Sequence, residues 1–199
     1  MNRVLAVLFL LGVPLLATAQ DLHFGLGLSA TVNDTSKSQT GYSDYTSTSS
    51  TVGGVVLLSL DKTWETDLGL AVISETTKDA GGLVTTAGTD YSQGGLVFGL
   101  GISGAFADVG PLTFRAGVAG QLGYLGPPDG YVGDYSFYFG SLSLPLSMDI
   151  TFGEKWGFRV SQTVVRAYFQ AESASNIKYG STSFVVNGYI PTVSLYYMF

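Results

Sequence analysis

The sequence contains no cysteine, so a disulfide framework, a thiolate zinc site and a lipid-modified N-terminal cysteine are all excluded. It has a single histidine, and only 12% of its 199 residues are charged. Basic side chains are the scarcest, 9 against 15 acidic ones. That removes the Lys/Arg surplus on which binding to a polyanion depends, and with it nucleic acid as a partner. Beyond the N-terminus there is also no run of roughly 18 apolar residues, so no membrane-spanning helix is expected there. What is abundant is glycine, with 27 residues, and Tyr and Phe, with 12 each, in a chain that is 46% hydrophobic. Such a chain is too apolar and too poor in charge to stay disordered. Gly, Tyr and Phe stand where a helical bundle would carry Ala, Glu and Lys, and one all-β domain is expected.

The N-terminus bears on the compartment. Asn2 and Arg3 form a short positive region, Val4 to Leu16 is almost wholly apolar, and Ala17-Thr18-Ala19 before Gln20 has the small-x-small pattern of a cleavage site. The apolar run is shorter than the roughly 20 residues of a spanning helix and is broken by Pro14. Residues 1–19 therefore read as a secretory signal peptide and 20–199 as the mature domain. Without Arg3 the mature chain keeps 8 basic against 15 acidic side chains and a charge near −7.

Membrane insertion by the mature chain would have to use strands. Period-2 alternation is pronounced. Leu22, Phe24, Leu26, Leu28, Ala30 and Val32 alternate with His23, Gly25, Gly27, Ser29 and Thr31, and Leu142 to Phe152 repeat the pattern against Ser141, Ser143, Pro145, Ser147, Asp149 and Thr151. Similar runs cover 96–103 and 112–124. Eight strands are expected near 22–32, 51–61, 65–76, 93–106, 112–124, 136–152, 156–170 and 183–199. Their connections alternate between long polar links near 33–50, 77–92, 125–135 and 171–182 and tight turns at 61–64, 108–111 and 153–156. Long-short alternation is characteristic of a transmembrane barrel with periplasmic turns and extracellular loops.

In this pattern the mature chain resembles the small bacterial outer-membrane β-barrels of the OmpA/OmpX type. The fold class implied is an antiparallel up-and-down transmembrane β-barrel of about eight strands. The last strand carries the sharpest motif: Val193, Leu195, Tyr197 and the terminal Phe199 stand at every second position, similar to the signal that the barrel-assembly machinery reads in that family. The resemblance implies outer-membrane lipids and that machinery as partners, export to the outer membrane of a double-membraned bacterium, and no cofactor.

Aromatic side chains are expected at the two membrane interfaces. Trp64, Phe106, Phe114, Phe152, Trp156, Phe158, Tyr197 and Phe199 fall toward the tight turns. Tyr91, Tyr124, Phe137, Tyr138, Tyr168 and Phe184 fall toward the long links. A secreted lipocalin-like barrel is the rival reading, with its large apolar residues turned inward. Against it, the minor face is mostly Gly, Ala, Ser and Thr, which suits a narrow lumen better than a water-facing surface.

Asp67, Arg115, Asp149 and Arg159 fall on that inner face near the tight turns, with Glu65 at a similar height. They are expected to form a lumen charge network, either as an ion-paired plug or as a charged constriction for ions, and the plug is preferred because eight strands leave an interior that side chains can fill. Catalysis has little to draw on. His23 lies at the turn end of the first strand with no nucleophile motif nearby, and there is no second histidine for a metal. The loop carboxylates Asp34, Asp44, Asp79, Asp90, Asp129 and Asp134 lack a calcium-loop spacing. Two functions remain: a non-enzymatic surface scaffold presenting its loops to an unidentified extracellular ligand, environment or envelope partner, and a small channel for ions or apolar solutes.

Overall fold

The computed structural model describes residues 22–37, 45–60, 63–79, 91–130, 135–174, 177–186 and 191–199. The expected signal peptide and the expected loop sites at Asp44, Asp90 and Asp134 lie outside them, as do the side chains of Asp34, Asp79, Tyr91 and Phe184. The described residues form nine antiparallel strands: β1 (Leu22–Lys37), β2 (Tyr45–Leu60), β3 (Trp64–Asp79), β4 (Tyr91–Val109), β5 (Leu112–Leu125), β6 (Tyr135–Phe152), β7 (Trp156–Ala174), β8 (Ile177–Val186) and β9 (Pro191–Met198). Each of β1 to β7 pairs with its sequence neighbour. β8 and β9 together fill the eighth position, β8 along the upper half of β7 and β9 between the lower half of β7 and β1. The β1–β9 pairing closes the sheet into an eight-stranded barrel.

Apolar residues on one face and small or polar residues on the other produce this shape, and the faces are those of a membrane barrel. Leu28, Val52, Leu70, Leu122 and Leu142 point outward and are 57–68% exposed. A belt of that size is an unsatisfied surface in water and an ordinary one in hydrocarbon. This parity is opposite to that of the soluble lipocalin-like rival.

The tight turns follow local chemistry. Gly110 and Gly153 sit at φ of 61° and 69° in the β4–β5 and β6–β7 turns, a backbone conformation that residues with a Cβ rarely adopt. Two irregularities break the strands. The register slips between Ala105 and Ala107, where Phe106 is extra, and again opposite Leu144 and Pro145, where Val164 of β7 is extra. Pro145 has no N–H to give a regular ladder, which makes it a natural place for a bulge.

The strands are longer than expected at the loop end. β1 and β2 reach Lys37 and Tyr45, so the first link shrinks to 38–44, and the long link expected at 171–182 is replaced by the ends of β7 and β8 with two residues between them. These extensions are rich in Ser, Thr and Tyr, which pair readily as strands yet give no apolar alternation to read.

Candidate functional site

At the turn end of the lumen the strands bring four charged side chains together. Asp149 of β6 lies between two arginines. Arg115 of β5 donates from Nε to its Oδ2 at 2.9 Å, and Arg159 of β7 donates from Nε to Oδ1 at 2.5 Å and from Nη2 to Oδ2 at 2.7 Å. The last two bonds form a bidentate fork, the strongest geometry available to a carboxylate and a guanidinium. Arg159 also donates through Nη1 to Glu65 of β3, and Arg115 Nη1 reaches the Thr63 carbonyl. All four side chains are less than one tenth exposed. Tyr196 of β9 lies against this layer, with the Arg159 guanidinium 5.6 Å from its ring centroid. Its ring occupies the place of a side chain at Gly157, the register partner, so only glycine lets it lie flat there.

Of the residues expected to form the network, the structure joins Arg115, Asp149 and Arg159. Glu65 takes the fourth place. Asp67, two residues farther along β3, leans over Gly101 and makes no hydrogen bond or ion pair among the described residues.

A second layer, not expected from the sequence, crosses the lumen toward the loop end. Ile73, Val97, Leu125 and Phe139 are buried there, with Phe137 and Tyr168 packed against them. Phe139 stacks on Tyr168 at 6.1 Å and lies 6.2 Å from Phe137, and the Arg166 guanidinium sits 5.1 Å from the Tyr168 ring centroid. Phe137 and Tyr168 therefore leave the outer girdle to which their aromatic character had assigned them. Above this layer Glu75 accepts bonds from Ser47 at 2.5 Å and Gln93 at 3.1 Å.

Other rings sit outside toward the two ends. Trp156 and Phe199 each lie 5.1 Å from Tyr197, Phe24 lies 5.7 Å from Phe199, and Tyr124 and Tyr138 pair at 5.2 Å near the other rim. Val193, Leu195, Tyr197 and Phe199 share the outward face of β9 and its extension. Backbone bonds tie this terminus to both neighbours, from Met198 N to Lys155 O at 2.7 Å and from Phe199 N to Phe24 O at 2.8 Å.

His23 has Ser59 as its register partner on β2, but no hydrogen bond joins the two side chains. No group of three or more metal-ligating side chains occurs among the described residues.

No family model matches the chain, and no curated protein matches it. Among solved structures, the outer membrane protein OprG from Pseudomonas aeruginosa is similar over 91% of this chain and 97% of its own, with a TM-score of 0.54 and 15% sequence identity. Looser likenesses are to the β domain of the Bordetella autotransporter BrkA (89% and 98% covered, TM-score 0.39, 11% identity) and to the outer membrane protease OmpT from Escherichia coli (92% and 98%, 0.37, 10%). The chain has the fold of the outer-membrane β-barrels; with OprG it shares that fold at low sequence identity.

Proposed function

We propose that the chain is an integral outer-membrane barrel acting as a non-enzymatic surface scaffold, a rigid closed wall that holds the links around 38–44, 80–90 and 126–134 at the cell surface. The observation that carries this reading is the lumen itself, crossed first by the Arg115–Asp149–Arg159–Glu65 layer and again by the Ile73–Val97–Leu125–Phe139 layer. An ion moving through would have to break a fully paired charge layer and then cross an apolar one, and each step is costly in a poorly solvated space. The outward apolar belt and the girdles of rings support residence in a bilayer. The outward motif Val193, Leu195, Tyr197 and Phe199 suits delivery by the barrel-assembly machinery after export directed by residues 1–19.

Single-channel recording of the refolded mature chain in planar bilayers tests the scaffold reading. A flat trace at the lipid baseline is expected. Discrete steps that scale with salt would replace it with the channel alternative.

A further inference from the structure

The outer face of the wall carries a hollow of about 460 Å³ that crosses the strands from β1 to β4. It owes its depth to Gly54 of β2, which stands in register between Leu28 and Leu70. A Cβ at Gly54 would meet nothing nearer than the Gly27 carbonyl oxygen at 4.0 Å among the described residues. Val56 and Leu68 are half-buried in the floor, and Leu26, Leu70 and Phe98 stand up around it, 46–61% exposed. Elsewhere on this face the chain covers such gaps itself: the Trp64 ring lies over Gly104 and the Phe169 ring over Gly140.

What covers the hollow follows from where it lies. Leu70 is six residues along β3 from Trp64. At about 3.3 Å per residue and a tilt of about 40° that is roughly 15 Å up the barrel, near the middle of a hydrocarbon layer about 30 Å thick. No charged or polar side chain lines the hollow, so a lipid headgroup finds no partner there. Lipid tails are as apolar as the wall, and fit rather than hydrophobicity selects the occupant: a void leaves its lining without partner atoms, and a glycine lets a neighbour approach the backbone. A second copy would bring a wall as convex as this one, touching along a line and reaching the floor only with single side chains. A flexible chain can follow the hollow across four strands.

We propose that this hollow is a binding site for one acyl chain of an outer-membrane lipid, seated over Gly54 and held between Leu26, Leu70 and Phe98. The site goes beyond the scaffold reading. It requires the barrel to stand in a bilayer but not the lumen to be closed, so the two are tested apart.

The test uses the refolded mature chain in vesicles of phosphatidylethanolamine and phosphatidylglycerol, doped with phosphatidylethanolamine that bears a photoreactive diazirine near the end of one acyl chain. After illumination, adducts are mapped by peptide mass spectrometry. Leu146 is the reference, an outward leucine six residues from Phe152 as Leu70 is from Trp64, and 48% exposed. Adducts per residue at Leu68 and Leu70 should exceed those at Leu146 several-fold, a comparison that needs no variant. The excess should vanish in Gly54→Leu, whose side chain fills the hollow. It should persist in Gly120→Leu, which adds the same bulk at an outward glycine outside it, in register between Leu100 and Leu142. Equal labelling at Leu70 and Leu146, or an excess unchanged in Gly54→Leu, would overturn the proposal. So would a cross-linked dimer of the protein that Gly54→Leu dissolves, since a second copy would then occupy the hollow.

Discussion

Arg159 on β7 meets Glu65 on β3 across the full width of the barrel, so one ion pair links strands four positions apart in a ring of eight. A contact of this kind spans the lumen rather than following the wall. It requires the lumen to be narrow enough for two side chains to bridge, which eight strands provide. Asp149 then supplies the second carboxylate that the guanidinium fork needs.

Removing that carboxylate is the sharpest test of the layer's contribution to stability. In Asp149→Ala the guanidiniums of Arg115 and Arg159 are left close together with their shared partner gone. Breaking one side of a buried pair costs about 3–5 kcal/mol. The denaturant midpoint of the refolded protein should fall accordingly. An unchanged midpoint would mean that water screens the cluster and the lumen is open.

The faces of the wall are tested by neighbours on β6. Leu144 points outward and is 48% exposed, whereas Ser143 points inward and donates to the Ala119 carbonyl at 3.2 Å. Leu144→Arg should destabilise the barrel in lipid by about 2–4 kcal/mol if it lies near the bilayer midplane. Ser143→Arg places its bulk in the lumen beside Arg166, the register partner, and should fail through crowding and like charge. Its loss should ease when Arg166 is also shortened to alanine, while the loss in Leu144→Arg should not. Unfolding titrations in vesicles measure both.

The wall of the barrel was legible in the sequence because lipid demands alternation, and residues such as Leu26, Leu100 and Leu146 supply it without interruption. The inside was only partly legible. Arg115, Asp149 and Arg159 stand out as charges on an otherwise small-residue face, but the choice of Glu65 over Asp67 depends on reach across the lumen, which spacing along one strand does not encode. Tyr168 was lost to a bulge: counted from Phe158 and Val160 it keeps outward parity, and the extra Val164 reverses it. Phe137 has the inward parity of Ser141 and Ser143, and its aromatic character was the misleading signal. The polar ends of β1, β2 and β8 were missed because their faces carry no hydropathy contrast.

Orientation is a separate matter with its own measurement. The strand ends at Lys37, Tyr45, Asp79 and Tyr91 lie at one end of the barrel and the turns at Gly110 and Gly153 at the other. An epitope tag inserted at Gly41, which lies outside the described residues, should be labelled on intact cells, and one at Lys155 only after permeabilisation. Equal labelling of both would reject an arrangement with the links outside.

On the scaffold reading the two layers block the lumen in series, and together they make a prediction that neither makes alone. Phe139→Ala removes the ring that stacks on Tyr168 and should cost about 3–5 kcal/mol through the cavity it leaves, yet on that reading the charged layer below would still close the lumen. Arg159→Ala should likewise weaken the fold, by breaking the bridge to Glu65 and the fork to Asp149, while the apolar layer above still excludes ions. Each single variant should therefore lower the denaturant midpoint and leave planar-bilayer traces flat. Only the Phe139→Ala/Arg159→Ala double variant, with both layers thinned and Glu65 left without its guanidinium, should conduct, and it should favour cations because Glu65, Asp67 and Asp149 then face Arg115 alone. Conductance in either single variant would show that one layer alone seals the barrel. Conductance in the unmodified protein would remove the basis of the scaffold reading.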